Sequence, residues 1–511
     1  MMSPELALRG WLRGAEHERG RKWQRILADS YGPDATRRRA FERTFKSVPG
    51  DGRVRLGRWR RPDGSFGWCG IPLQDAMGLR AWITGTSGGG KTYEAIAILL
   101  QLLEHRHVLW VFDFKGELAD LLTHTVLPAI ASRPEGRWLL GRVHVIDLFG
   151  NRPPALRITE PEPGVPRHVQ ALTLSATLQE VLNAEHGLRM ERVFLMASCL
   201  AIELRQPLTT LSRWFRNPDL FAQAAASSTD PLIRDYAVNV FPKEPRASLH
   251  ALSSRLDLLF FLPEIRRALE APACVSFADL CREGVFIFRV GGAPAGSEGV
   301  EAAVGSLLIG RATRAIMSRS VDEDTLPLLL LIDEGQRAIR QRDVGHLERV
   351  LTQARFKRSS LIFCNQQTAQ LDPAFVQLLR TNTSMEFIFR ANPEDADRLA
   401  KHLPMSLTSN ATGDTFREVS RVISHLPNRE FVLWSKQLGQ AERMRSPRVD
   451  MAALERMVAR TPSELRARVF ATARDTGRPT TSSGVSAIEP VRRPFLFGDE
   501  PGTDDALSVL G

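Results

Sequence analysis

Short, almost continuous apolar runs recur along the chain with longer helical stretches between them. Leu79–Thr84, His107–Asp113, Val143–Leu148, Gly284–Val290, Leu328–Ile332, Ser360–Cys364 and Met385–Arg390 each read as a strand, and Phe431–Trp434 as a last one. Residues apolar at consecutive positions, over a length too short for a helix, fit parallel strands covered on both faces. The stretches 93–105, 299–319 and 393–402, and one ending near Arg355, read as helices. Such alternation predicts an α/β fold with a mainly parallel sheet. Between about Arg167 and Ala271 it lapses. There, 171–182, 192–204 and 247–261 are helical, separated by breakers such as Arg216-Asn217-Pro218. This block predicts an all-α domain inserted into the sheet-forming unit.

Composition narrows the class. The chain has 511 residues, 43% hydrophobic and 25% charged, as in ordinary globular proteins. No run of about 18 apolar residues is present, so no direct membrane span is expected. The five cysteines, Cys69, Cys199, Cys274, Cys281 and Cys364, form no Cys-x-x-Cys pair, which argues against a zinc site or disulfide framework and fits a reducing compartment. Net charge is +10, carried mainly by arginine, since lysines number only eight. That excess suits an anionic partner such as nucleic acid, but Arg37-Arg38-Arg39 and the five arginines of 53–61 fit better as a solvated surface whose stems cover aromatic rings.

The chemistry is concentrated in Gly85-Thr86-Ser87-Gly88-Gly89-Gly90-Lys91-Thr92, which satisfies G-x-x-x-x-G-K-[ST] between an expected strand and an expected helix. Glycines let successive backbone N–H groups turn toward a phosphate chain. Lys91 supplies a cation for the β- and γ-phosphates, and the Thr92 hydroxyl is placed to ligate Mg²⁺. Hydrolysis needs more than a cradle. Asp333, ending the Leu-rich strand, is suited to hold Mg²⁺ through water, and Glu334 beside it to activate a water. Gln366, ending the next strand, is suited to sense the γ-phosphate. Arg355, Arg358, Arg380 and Arg390 are candidates for a cation reaching into a neighbouring subunit's site. The cofactors implied are ATP and Mg²⁺.

The order P-loop, Asp113-Phe114-Lys115-Gly116-Glu117, helical block, Leu-rich strand with Asp333-Glu334, and strand with Gln366-Gln367-Thr368-Ala369-Gln370-Leu371 resembles the HerA/FtsK superfamily of DNA-translocating ATPases. Within it the chain is most similar to the coupling ATPases of conjugative type IV secretion systems, over roughly residues 70–470. The resemblance implies a RecA-like nucleotide-binding domain interrupted by an all-α insertion. With the flanks read from composition, the chain divides into a basic N-terminal region (1–70), a first core segment (71–155), the insertion (156–275), a second core segment (276–470) and a Pro-, Gly-, Ser- and Thr-rich tail (471–511) expected to be disordered. The resemblance singles out Arg355, 11 residues before Gln366, as the trans-acting arginine, although the glycines flanking that arginine in the family are missing here. It also implies a homo-oligomer, most simply a hexamer, acting on DNA, with the insertion at the ring entrance and a secretion-channel or DNA-processing protein as partner.

Coupling proteins usually begin with transmembrane helices, which this chain lacks. The expected location is therefore the cytoplasm or, through a partner, the face of the inner membrane. Two alternatives stay open: a HerA-like ATPase of a mobile-element or phage-defence system, and an assembly ATPase acting on protein partners without DNA.

Overall fold

The computed structural model describes residues 43–48, 51–60, 66–150, 156, 158–162, 164–181, 188–270, 277–292, 296–339, 344–403, 413–437 and 439–470. The arginine cluster 37–39, Cys274 and the tail from 471 onward lie outside these residues. The described strands are β1 (Lys46–Ser47), β2 (Arg53–Arg60), β3 (Phe66–Pro72), β4 (Arg80–Thr84), β5 (Val108–Asp113), β6 (Val143–Asp147), β7 (Val285–Arg289), β8 (Leu328–Asp333), β9 (Ser359–Asn365), β10 (Met385–Ile388), β11 (Glu430–Ser435) and β12 (Gln440–Arg445). They form one 12-stranded sheet in the order β1-β3-β2-β12-β11-β10-β4-β9-β8-β5-β7-β6. The seven strands from β10 to β6 are mutually parallel. The other five extend the sheet antiparallel from β10.

The apolar runs resolve into two interleaved faces, as the two-residue period of a strand requires. Val108, Trp110 and Phe112 of β5 and Leu328, Leu330 and Ile332 of β8 belong to one core, shared with the helical block. Leu109 and Val111, with Leu329 and Leu331, face the other core, with the helix Lys91–Glu104. That helix has eleven buried residues among its fourteen, so it lies against the sheet rather than on the surface.

Between β6 and β7 the chain is helical, with Arg167–Val181, Leu188–Glu203, Thr209–Arg216, Pro218–Ala225 and Arg246–Leu259 among its elements. Buried Glu162, just ahead of this block, pairs with Arg311 and Arg314 of the helix Glu298–Ser318, each at 3.3 Å. The block is thereby tied to the core rather than tethered beside it.

Part of the basic N-terminal region belongs to the main sheet. Residues 53–60 and 66–72 form a hairpin that joins β12 and so continues the main sheet. Its arginines do lie over aromatic rings: the Arg55 guanidinium is 4.9 Å from the centre of the Trp68 ring, and that of Arg58 is 5.4 Å from Phe66. Among the described residues, no helix is long and apolar enough to cross a membrane.

Candidate active site

Three adjacent parallel strands deliver the chemistry to one edge. β9 lies between β4 and β8, with Thr84 level with Asn365 and Ile332 level with Phe363. The segments that leave their carboxyl ends therefore meet: the loop 85–90 after β4, Glu334 after β8, and Gln366 after β9. Sheets of this kind place ligands at that edge.

The loop curls because its glycines allow it. Gly85, Gly88 and Gly90 have φ of +145°, +75° and +113°, values that L side chains rarely adopt. At Gly85 a Cβ would also stand 2.7 Å from Phe389 Cβ and 2.9 Å from the Arg390 carbonyl oxygen. Thr86 donates to that same carbonyl from its N–H (2.7 Å) and its hydroxyl (3.0 Å), which anchors the loop to the end of β10. Lys91 is 6% exposed, and its Nζ donates to the carbonyls of Gly85 (2.7 Å) and Thr86 (3.1 Å). Burial holds this amine below the usual lysine range against the pull of Glu334 and Asp333. Thr92 stands half-buried in the first turn of the helix.

Asp333 and Glu334 are buried. Burial, followed by the neighbouring Asp113 and Glu334 carboxylates, raises the Asp333 carboxyl to about 7. Asp113 is already committed: its carboxylate accepts from the N–H groups of Lys115, Gly116 and Ala119 at 2.7–2.8 Å. Asp333 is the acid left to be compensated. Glu334 adopts φ +55°, ψ +37°, a left-handed conformation uncommon for a non-glycine residue and frequent at functional sites. Its two oxygens are held apart, Oε1 accepting from Gln366 Nε2 at 2.8 Å and Oε2 from Gln336 Nε2 at 2.5 Å. Gly335 makes room for this turn, since a Cβ there would lie 2.2 Å from Phe363 Cε2.

The residues present fit Mg²⁺. Among the described residues, no three His, Cys, Asp or Glu side chains gather into an all-protein metal cage. Mg²⁺ does not ask for one, as it is commonly held by one or two protein oxygens with phosphates and water. The Thr92 hydroxyl and a buried, under-compensated Asp333 are hard oxygen donors of the required type.

The arginine candidates separate. Arg390 is beside this chain's own loop. The Arg358 guanidinium donates to the carbonyls of Asp322 and Glu323, and that of Arg380 lies 5.9 Å from the Trp82 ring centre. Arg355 is exposed and packs at Gly78, beyond the amino end of β4. The five residues of β4 put about 16 Å between that end of the sheet and the loop. The structure does not bring Arg355 to its own chain's phosphate loop.

Sequence reading missed a second set of neighbours. The Arg429 N–H donates to the Gly89 carbonyl at 2.9 Å, and its guanidinium lies 5.9 Å from the centre of the Tyr93 ring. Glu94 is fully buried below them, and burial raises its carboxyl to about 8, partly opposed by Ser446 and Arg429. Lys115 pairs with Glu117 at 2.7 Å and also feels the charges of Glu334 and Asp333. The Asp-x-Lys-Gly-Glu spacing was the one signal for Lys115; nothing in the sequence placed 429 beside 89.

No family model and no curated protein sequence matches the chain. Solved structures do. The chain resembles the bacterial conjugative coupling protein TrwBdeltaN70 in its unbound monoclinic form, at a TM-score of 0.50 and 14% identity, over 74% of this chain and 86% of that one. It resembles VirB4 of Thermoanaerobacter pseudethanolicus at a TM-score of 0.53 and 14% identity, over 80% of this chain and all of the other. The shared architecture is the RecA-like P-loop ATPase fold, in agreement with the motif order.

Proposed function

We propose that this chain is an ATP-hydrolysing, ring-forming motor that moves DNA, of the kind used in conjugation or type IV secretion. The observation that carries the reading is the junction at the carboxyl ends of β4, β8 and β9, where Lys91, Asp333, Glu334 and Gln366 meet around a glycine cradle. The likeness to a conjugative coupling protein and to VirB4 supports the choice of process.

ATP enters with its phosphates along the N–H groups of 85–90, at the positive end of the helix Lys91–Glu104. Lys91 then exchanges the carbonyls of Gly85 and Thr86 for phosphate oxygens. Thr92 and Asp333 would hold Mg²⁺, which would supply charge neutralisation for the phosphates. Asp333 would hold the metal as its carboxylate, with its proton, where present, released to solvent. Glu334 takes the proton of the attacking water on its carboxylate. Gln366 already touches Glu334 Oε1, so a γ-phosphate competing for its amide passes a signal along β9. Arg355 of one copy reaches the nucleotide of the next in a hexameric ring.

A second reading, an assembly ATPase that acts on protein without DNA, draws on the hairpin, where Arg55 and Arg58 are occupied by aromatic rings. Phosphate release measured with no DNA, single-stranded DNA and double-stranded DNA, alongside the mass of the ATP-bound assembly, separates the two. Stimulation of a ring by DNA is the expected result. A rate indifferent to both DNA forms would favour the second reading.

A further inference from the structure

A half-open cavity of about 530 Å³ lies at the amino-terminal edge of the sheet, away from the phosphate loop, and its wall contains four cations: Arg53, Arg80, Arg355 and Lys436. The sheet assembles them. Arg80 opens β4, Lys436 follows β11, and Arg53 opens β2, so three strands bring positive charge to one place. One carboxylate, Asp75, shares the wall, with the hydroxyls of Thr381, Thr383 and Ser384 beside it. Among the described residues, none of the four cations makes an ion pair.

Two of the four have little other employment. Lys436 Nζ donates only a long bond, 3.4 Å, to Thr383 Oγ1, and the buried Nε of Arg80 has no partner while one Nη reaches the Leu351 carbonyl. Arg53 is spent on the carbonyls of Gly70 and Thr44, so it contributes field rather than hydrogen bonds. Burial, with Arg80 and Arg380 nearby, brings the Lys436 amine down to about 8 despite Glu386. Arg80 is likewise lowered by burial and by Arg355. The hydroxyls of Thr383 and Ser384 already donate to the Leu379 and Arg80 carbonyls, so the cations carry the site. Like charges gathered in a partly dry cavity are relieved by an anion that accepts several hydrogen bonds, which is the chemistry of phosphate.

We infer that this cavity is a second phosphate site, taking the phosphate of a nucleotide or of a nucleic-acid backbone, with Lys436 and Arg80 as its principal ligands. The inference stands on this wall and does not require the phosphate loop to work. Calorimetry on the full chain at about 0.1 M salt tests it, with inorganic pyrophosphate and a 12-nucleotide oligothymidylate as probes. Both are titrated into the wild type, Lys91→Ala, and Lys91→Ala combined with Lys436→Gln, Lys436→Arg or Arg80→Met. Binding of at least one probe persists in Lys91→Ala. Adding Lys436→Gln weakens it about tenfold and Lys436→Arg restores most of it, as expected for one charge-assisted contact. Weakening of pyrophosphate alone assigns the site to free or nucleotide phosphate, and weakening of the oligonucleotide assigns it to the backbone. Absence of binding in Lys91→Ala overturns the inference, as does binding indifferent to both Lys436→Gln and Arg80→Met in variants that melt like the parent.

Discussion

Replacing Asp333 by Asn is expected to stabilise the metal-free protein while removing its activity. The Asp333 carboxyl is raised from its ordinary 3.8 to about 7, because it is 7% exposed and stands beside the Asp113 and Glu334 carboxylates. An acid whose folded pKa exceeds its unfolded value binds its proton more tightly in the folded state. Stability therefore falls as pH climbs from about 4 to 7, and the full penalty is present above 7. At about 1.4 kcal/mol per unit, three units amount to about 4 kcal/mol. The amide of Asn is itself buried and imperfectly paired, which takes back about 1–3 kcal/mol. The net gain is about 1–3 kcal/mol, or about 1–3 °C in melting temperature for a chain of this size. The assay is thermal melting with EDTA at pH 8 and pH 5, then at pH 8 with Mg²⁺ and a slowly hydrolysed ATP analogue. Asp333→Asn should melt above the wild type at pH 8, lose its advantage at pH 5, and gain less from the Mg²⁺–nucleotide pair. A variant that melts below the wild type at pH 8 in EDTA would refute the reasoning.

Three further outcomes follow from the same geometry. Gly335→Ala drives a Cβ to 2.2 Å from the Phe363 ring and should cost about 1–3 kcal/mol of stability, with loss of phosphate release because Glu334 is displaced. Melting and rate measurements check both effects. Burial lowers the His107 imidazole to about 4, so between its ordinary 6.5 and that value the unfolded chain takes up the proton and stability drops as pH falls. Relative to His107→Gln, the wild type should lose about 2 kcal/mol between pH 8 and pH 5 in urea titrations. Gln366→Ala frees Glu334 Oε1 and should preserve nucleotide affinity while flattening the response of hydrolysis to DNA, read by fluorescent-nucleotide binding and phosphate release.

What the sequence disclosed depended on whether a feature is local. The loop 85–92 is legible because its backbone demands glycine at fixed positions, and β8 because its first five buried positions, Leu328–Ile332, are all apolar. The hairpin β2–β3 was hidden for a physical reason. A bulge shifts its register between Arg55 and Gly57, so that Val54 before it, Leu56 within it and Trp59 after it break a clean alternation. Its arginines read as a surface covering aromatic rings, and Arg55 and Arg58 do lie over Trp68 and Phe66; what stayed hidden was that they do so from strands of the main sheet. The Arg429–Gly89 contact and the cationic cavity join residues hundreds of positions apart, and no spacing rule reaches that far. Arg355 was chosen on spacing to Gln366; its place at the opposite edge of the sheet is information only the fold supplies.

The central claim is that Glu334 activates water for hydrolysis of ATP held by the loop after β4. Its most direct test is a single-turnover measurement of phosphate release from pre-bound ATP in Glu334→Gln against the wild type, with nucleotide affinity measured on both. The account predicts near-equal affinity and a release rate lower by about 100-fold or more. Comparable rates in the two proteins would contradict it and move the water-activating role away from this junction.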